Sequence, residues 1–315
     1  MKKFDVIVGN PPFQETEDSG ARKQKSHNLY SKFIVKGYNI LSDDGYLAMV
    51  CPASWMTPYG NTAGKSSKEG FKRLFRRNRL LYLNLNDIEG FNVGSTFTAF
   101  VMQKNTDNKA QTFIKGIYNK NRYQSRLKIT PDHIWLPNLL TKESVSILEK
   151  TNFSALRKFD VKNDNFFHPV VVSSSKGKKI LHSKASKDCI YEQYHTNTKS
   201  KWSNIPHLNQ NQKKVLFTKS GYFKPCYDNG QKGVTEAAFY ILVDSNKEGQ
   251  NLIDILNGKL YRFIVSTSKW SGFNMPEVVQ TLPWLDTQKT WTDRDIYNYF
   301  ELTQDEIDLI EDTLK

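Results

Sequence analysis

Apolar and polar positions alternate in blocks along the first hundred residues, and the blocks predict strands and helices in turn. Short apolar runs predict strands at 4–9, 46–51, 80–85 and 97–103, and the polar stretch 14–28 predicts a loop. Helical segments between these strands indicate an α/β fold, with a partial doubly wound, Rossmann-like sheet. Only a short loop separates the last two strands, which favours an antiparallel hairpin at the edge of the sheet.

Two segments have the spacing of helices. Residues 67–77 predict one helix, and residues 29–41 predict another, which "SDDG" ends at a turn. The apolar side chains of the segment 29–41 that fall near one helical face are Leu29, Phe33, Tyr38 and Leu41.

The character of the chain changes after residue 105, where lysine, asparagine and serine become frequent and the periodic patterns weaken. We therefore expect two domains, 1–110 and 111–315, the second of mixed α+β structure with a helical C-terminus. Thr303 and Glu306 have the spacing of a capping box at the start of the last helix.

Positive charge is concentrated in the second part. The chain has a formal net charge of +13, and residues 176–232 contain 12 Lys and 3 acidic residues. Such an excess favours a polyanionic partner, with nucleic acid first and an anionic membrane surface second, although a solvated lysine-rich surface is the ordinary alternative. The candidate phosphate-binding residues are Lys176, Lys178, Lys179, Lys213 and Lys214.

The remaining composition narrows the class of protein. The three cysteines, Cys51, Cys189 and Cys226, match no zinc spacing, so we expect structural thiols and no metal site. The sequence has no apolar run of about 18 residues and no signal-peptide core. These features predict a reduced, cytoplasmic protein with no membrane-spanning segment, and we expect no membrane partner.

The stretch "FDVIVGNPPF" contains the strongest chemical motif. It places Asn10, Pro11, Pro12 and Phe13 at the carboxyl end of the first strand, where α/β sheets bind their ligands. Proline restricts the backbone, and the Asn10 and Pro11 oxygens provide two fixed acceptors for an exocyclic amino group. An adjacent ring can stack on a planar base, so the motif suits chemistry on the amino group of a flipped-out base.

With this motif, the sequence resembles the DNA adenine-N6 methyltransferases of type II and type IIG restriction–modification systems, which carry a C-terminal target-recognition domain. The resemblance continues through "NLYSKFIVKGYNILSDDGYLAMVCPASWM" and "DIEGFNVGSTFTAFVMQK". It returns in "LNGKLYRFIVSTSKWSGF", "VVQTLPWLD" and "DIYNYFELTQDEIDLIE". These blocks cover most of residues 3–104 and 250–311, and they imply double-stranded DNA as the substrate.

The resemblance implies roles for individual residues. Asn10 and the Pro11 carbonyl would accept hydrogen bonds from the adenine amino group, and Phe13 would stack on one face of the base. Phe91 would be the second stacking ring, or alternatively a core residue at a strand end. Asn28 and Tyr30 fall where the family borders the cofactor and base pockets, although a helix start with Tyr30 in the core fits equally.

The family's cofactor is S-adenosylmethionine, bound by a Gly-rich turn and an acidic residue that precede the motif. Only nine residues precede Asn10, and no later glycine follows a strand and opens a helix. We therefore expect another polypeptide to supply the cofactor-binding half, or the chain to be a truncated relic. The apolar strand Val6-Ile7-Val8 is expected to lie at a sheet edge. The start Met1-Lys2-Lys3 favours a split gene or a shortened paralogue.

Two alternatives remain open. The first is a non-catalytic relative that binds DNA or a partner, such as a pseudoenzyme subunit or an antirestriction decoy. The second is an amino methyltransferase acting on RNA or protein. Nothing in the sequence has the pattern of a nuclease site.

Overall fold

The computed structural model describes residues 3–13, 29–56, 74–75, 77–88, 96–105, 111–130, 132–270 and 276–315. The chain divides into two compact units, Met1–Glu149 and Lys150–Lys315. The boundary expected from composition, after residue 110, falls within the first of these units. The functional division into 1–110 and 111–315 stays a prediction.

The described residues of the first unit form a mixed sheet, so the α/β class is confirmed. Its strands are β1 Phe4–Gly9, β2 Leu41–Pro52, β3 Arg79–Leu85, β4 Phe97–Gln103, β5 Thr112–Tyr118 and β6 Asn121–Leu127. They are arranged in the order β1-β2-β4-β3-β5-β6. The β1/β2 and β3/β5 pairs are parallel, and the other pairs are antiparallel.

Helix α1, Leu29–Ile40, confirms the helix predicted at 29–41. Its buried face is not the predicted one: Phe33 is 46% exposed, whereas Tyr30, Ile34 and Gly37 are buried. A Cβ atom at Gly37 would make an ordinary contact with Leu47 Cδ1, at 3.4 Å. The helix therefore packs on β2 through the face that carries Tyr30, Ile34 and Gly37.

Strand β2 begins at Leu41, directly after α1, and not at residue 46 as predicted. The "SDDG" stretch is nevertheless irregular. Asp44 has a φ of 61°, and the pairing with β1 shifts register between Phe4 and Val6. A Cβ atom at Gly45 would lie 2.9 Å from Leu41 Cγ, so glycine is required at this bend.

The antiparallel pairing of β3 with β4 is confirmed, but its predicted place at the sheet edge is wrong. β4 lies between β2 and β3, and β5 and β6 continue the sheet beyond β3. Asn119 and Lys120 join β5 to β6 with φ values of 48° and 67°, the left-handed conformation of a tight hairpin turn.

Strand β1 lies at the edge of the described sheet, as predicted. Alternate side chains of a strand point to opposite faces, and Phe4, Val6 and Val8 share one face. Val6 is 58% exposed and Val8 75% exposed. The first strand thus presents an apolar row to solvent.

The second unit contains two small sheets. Its strands are β7 Leu181–His182, β8 Tyr191–Thr196, β9 Lys199–Ser203, β10 Lys213–Thr218, β11 Cys226–Asn229, β12 Gly233–Val234 and β13 Ala238–Leu242. One sheet has the order β11-β10-β13, and the other has the order β12-β8-β9-β7. The unit therefore combines strands and helices, as the α+β expectation requires.

The C-terminus is helical, as predicted. In the described ranges, the α-helices that follow α1 are α2 Lys142–Lys150, α3 Pro169–Ser174, α4 Asn246–Asn257, α5 Lys259–Thr267, α6 Pro276–Gln280, α7 Asp293–Tyr299 and α8 Gln304–Thr313. Most of the helix predicted at 67–77 lies outside the described residues. The capping box of Thr303 and Glu306 is confirmed, and Thr292 and Asp295 form another at the start of α7. Among the described residues, no helix combines the length and hydropathy needed to cross a membrane.

Candidate functional site

The strand directions bring several chain segments to one edge of the first unit's sheet. β1 runs parallel to β2, and β4 runs antiparallel to both β2 and β3. The carboxyl ends of β1, β2 and β3 therefore lie at the same edge as the start of β4. Asn10 follows β1 there, Ser54 follows β2, and Phe97 begins β4.

Asn10 and the two prolines form a short exposed segment after β1. Asn10 and Pro12 are exposed, and Pro11 is buried. No described residue donates a hydrogen bond to the Asn10 side chain or to the Pro11 carbonyl. The segment ends at Phe13, whose carbonyl accepts a hydrogen bond from the Leu29 N–H at 3.2 Å. Two acceptors are thus held in a short segment without a partner among the described residues.

The half-buried ring of Phe13 packs against Phe97, which the sequence did not single out. The ring centroids are 5.0 Å apart, with 51° between the planes. Phe97 is buried, and its backbone exchanges two hydrogen bonds with Asn86, at 3.0 and 3.1 Å. Phe91, the predicted second stacking ring, lies outside the described residues.

Tyr30 belongs to the core, which is the alternative that the sequence left open. Its side chain is fully buried, and its hydroxyl lies 3.2 Å from Ser54 Oγ. Burial raises the pKa of the Tyr30 hydroxyl well above its ordinary value. Tyr30 therefore ties α1 to the segment after β2. Asn28, the other cofactor-pocket candidate, lies outside the described residues.

A buried polar contact fixes the segment after β2. Thr98 Oγ1 accepts a hydrogen bond from Trp55 Nε1 at 2.9 Å and donates one to the Cys51 carbonyl at 3.3 Å. Burial raises the pKa of the Cys51 thiol to about 12, so the thiol is uncharged and structural. All three cysteines carry free thiols. The start of β4 and the segment after β2 are thus held together by buried side chains.

Three of the five candidate DNA-binding lysines lie in one turn of the second unit. Lys176 and Lys178 are exposed, while Lys179 is half-buried with its Nζ 3.5 Å from the centroid of the Phe166 ring. The turn is fixed by positive φ values at Lys176 and Gly177, and the Lys178 carbonyl accepts a hydrogen bond from Asn204 Nδ2 at 3.1 Å. Lys176 and Lys178 therefore project from a rigid turn.

The prediction that Lys214 contacts DNA is wrong, because its side chain is fully buried. Its ammonium group lies within hydrogen-bond distance of four oxygens: Gln210 O, Gln212 O, Asp228 Oδ2 and Lys232 O. Burial lowers the pKa of Lys214, and the Asp228 carboxylate offsets part of this effect. Lys213 is half-buried, with its Nζ 3.4 Å from the Asp244 carbonyl.

Comparisons with known proteins match the start of the chain. Residues 1–91 match the family model described as "Eco57I restriction-modification methylase". An adenine-specific methylase of Mycoplasma pneumoniae, itself uncharacterized, is 41% identical over 56 residues, which are 18% of this chain and 13% of that protein. A protein of Methanocaldococcus jannaschii, named as a type II restriction enzyme and methyltransferase, is 31% identical over 93 residues, which are 28% of this chain and 8% of its own length.

A solved structure resembles a larger part of the chain. The type IIL restriction–modification enzyme MmeI, in complex with DNA, has 8% sequence identity and a TM-score of 0.48, covering 98% of this chain and 53% of that one. The matched stretches span a small part of the two curated relatives. The first 91 residues are therefore similar to restriction–modification methylases, and this segment contains Asn10–Phe13.

Proposed function

We propose that this chain is the catalytic and recognition portion of a site-specific DNA adenine-N6 methyltransferase of a restriction–modification system. The observation that supports this most directly is the placement of Asn10-Pro11-Pro12-Phe13. These residues follow β1 at the carboxyl edge of the sheet, within the segment that matches the restriction–modification methylases. The proposal covers adenine specificity, base flipping and the role of the second unit in reading DNA.

In this proposal, Asn10 and Pro11 hold the amino group of a flipped adenine. The Asn10 side-chain oxygen and the Pro11 carbonyl accept its two hydrogens, which increases the electron density available at the nitrogen. Phe13 stacks on one face of the base, and Phe97 supports the Phe13 ring from behind. These residues of the chain thus bind and orient the amino group, and the proton displaced from its nitrogen would pass to solvent.

S-adenosylmethionine would supply the electrophilic methyl group when bound. Methyltransferases of this kind hold the ribose hydroxyls of the cofactor with an acidic side chain after a strand. Asp87 follows β3, but its carboxylate already pairs with Arg122 at 3.1 Å and with Lys115 at 3.9 Å. Asp87 therefore does not fit the ribose of the cofactor, and we propose that a partner polypeptide carries the cofactor.

The apolar row on β1 supports a protein partner. Phe4, Val6 and Val8 are exposed on one face of the edge strand, and Tyr46 of β2 is exposed beside Val6 in the parallel register. Exposed apolar groups at a sheet edge favour pairing with another chain. The same row also suits the second candidate, a non-catalytic relative that binds DNA or a partner protein, because contact with a partner protein does not require catalysis.

A methylation assay tests the proposal. The chain is incubated with duplex DNA and labelled S-adenosylmethionine, with and without the product of the neighbouring gene. With the partner present, we expect Asn10→Ala to lower the methyl-transfer rate about 100-fold, as loss of one aligned hydrogen-bonding group does in other enzymes. DNA affinity should be nearly unchanged, because phosphate contacts provide most of it.

Asn121→Ala is the matched control. Asn121 is exposed on β6, the last strand in the sheet order that begins with β1. The variant should methylate DNA at the wild-type rate. If Asn10→Ala and wild type transfer methyl groups equally fast, Asn10 has no part in the reaction, and the non-catalytic candidate is favoured.

A further inference from the structure

Tyr222 lies in the loop 219–225, which joins β10 to β11 in the second unit. Its side chain is 88% exposed. Tyrosine has a large apolar ring that proteins usually bury at least in part. An aromatic ring held almost entirely in water is therefore a candidate contact for a binding partner.

The backbone around Tyr222 is fixed, so the exposure of the ring is not that of a loose loop. Three successive carbonyls accept hydrogen bonds: Ser220 O from Thr218 Oγ1 at 2.7 Å, Gly221 O from Lys269 Nζ at 2.6 Å, and Tyr222 O from Asn197 Nδ2 at 3.1 Å. Gly221 has a φ of 78°, a conformation that favours glycine. The loop thus presents Tyr222 in a defined position.

The neighbours of Tyr222 are anchored in the protein. Phe223 packs edge-on against the buried ring of Phe217, with centroids 5.3 Å apart. Asn197, which holds the Tyr222 carbonyl, accepts a hydrogen bond from the buried Tyr194 hydroxyl at 2.8 Å. A ring presented by so constrained a backbone loses little conformational entropy when it binds.

The charge around this loop identifies the chemistry of the partner. The loop itself carries Lys219 and Lys224, and Lys269 donates a hydrogen bond to the Gly221 carbonyl. Lys199 is exposed two positions beyond Asn197, which binds the Tyr222 carbonyl, and no aspartate or glutamate lies in the loop 219–225. The charges of these lysines suit phosphate groups. An aromatic platform within a cationic surface is the combination by which proteins bind nucleic acid, through stacking and phosphate contacts together.

We propose that Tyr222 inserts into bound DNA and stacks on a base at a locally unstacked step. This rests on the proposed function, in which the chain binds DNA and extrudes a base. An inserted ring occupies space between bases and offsets part of the cost of unstacking them. The surrounding lysines contact phosphates and orient the loop.

The test measures binding of the full chain to a fluorescein-labelled duplex of mixed sequence over a range of salt concentrations. Tyr222→Ala should weaken binding roughly tenfold, as loss of one stacking ring does. The slope of log affinity against log salt should not change, because the ring neutralises no phosphate. Lys224→Ala should instead reduce that slope by about one.

A second duplex contains one central abasic position. We expect wild type to prefer it, because the gap that the ring would fill is already open. Tyr222→Ala should lose this preference, and Tyr222→Phe should retain it. Leu208→Ala is the control for loss of an exposed apolar side chain, since Leu208 is 74% exposed in the same unit. It should bind both duplexes as wild type does.

The outcomes separate the two proposals. If wild type binds the intact duplex and Tyr222→Ala binds both duplexes as tightly as wild type does, Tyr222 does not stack on a base. This result overturns the inference about Tyr222 and leaves the proposed function standing. If wild type does not bind duplex DNA even at low salt, the proposed function fails and the inference falls with it. Because the Tyr222 ring is exposed, we expect Tyr222→Ala to unfold at the wild-type temperature.

Discussion

The rings of Phe13 and Phe97 are in contact, with their centroids 5.0 Å apart, although 84 positions separate them in the sequence. The contact arises because β4 runs antiparallel to β2, so the start of β4 and the carboxyl end of β1 lie at the same end of the strands, with β2 between them. Phe97 is buried, whereas Phe13 is half-buried. One face of Phe13 is thus supported while part of its surface remains accessible.

Replacing each ring should have a different effect. Phe97→Ala should lower the free energy of unfolding by about 3–5 kcal/mol, because it leaves a cavity in the core. Phe13→Ala should cost less stability and should reduce the population of extruded base. Urea denaturation measures the first effect, and a fluorescent adenine analogue at the target position measures the second. Unchanged emission with Phe13→Ala would exclude Phe13 as a stacking face.

Within the described part of the first hundred residues, strands β1, β3 and β4 and helix α1 were predictable. The strands are mainly apolar, and α1 has a helical spacing of apolar residues. Which face of α1 is buried was not predictable from spacing alone, because apolar residues lie on more than one side of this helix. Tyr30 and Ile34 are buried whereas Phe33 is 46% exposed, and packing against β2 decides between the two faces.

Composition does not predict the β5–β6 hairpin, because the frequent lysine, asparagine and serine after residue 105 indicate the start of another domain. Residues 112–118 do alternate, with Thr112, Ile114 and Gly116 on one face, and Asn119-Lys120 forms the turn. The polar strand β6 has little alternation of its own, and it is stabilised by its pairing with β5. The sequence identified Asn10–Phe13 by its local chemistry, whereas the contact with Phe97 depends on tertiary structure.

Lysines in the turn 176–179 should contribute to DNA binding through charge. Lys176 and Lys178 are exposed on a fixed backbone, so each can neutralise a phosphate. The double substitution of Lys176 and Lys178 by Ala should weaken binding to all duplexes and reduce the salt slope by about two. Fluorescence anisotropy at several salt concentrations measures both quantities. If affinity and slope stay at wild-type values, this turn faces solvent in the complex.

Lys214 should act on stability and not on DNA binding. Lys214→Met leaves Asp228 buried without its cation, and we expect a loss of about 3–5 kcal/mol in the free energy of unfolding. Lys213→Met, at the neighbouring half-buried position, should change it by less than about 1 kcal/mol. Urea denaturation distinguishes the two variants. Adding Asp228→Asn to Lys214→Met should restore part of the loss, because no unpaired charge then remains buried.

Asp164 should make the stability of the second unit depend on pH. Burial alone would raise the pKa of its carboxyl group, but hydrogen bonds and charge from neighbouring groups outweigh burial and lower it. The donors are His207 Nε2 at 3.1 Å, the Phe166 N–H at 2.9 Å and the Tyr240 hydroxyl at 3.0 Å. The folded state therefore favours the carboxylate more than the unfolded state does.

Because the folded pKa lies below the unfolded value of about 3.9, this stabilisation is fully present above that pH. It is lost as the pH falls through the folded pKa. Asp164→Asn should be less stable than wild type by on the order of 1–2 kcal/mol at pH 7, and the difference should shrink below about pH 4. Asp160→Asn, at an exposed carboxylate paired with Lys162, should differ from wild type by less than about 0.5 kcal/mol at pH 7. Urea denaturation at pH 7 and below pH 4 measures the difference in free energy of unfolding between each variant and wild type. If the difference for Asp164→Asn is as large at low pH as at pH 7, Asp164 stabilises the unit by its shape and not by its charge.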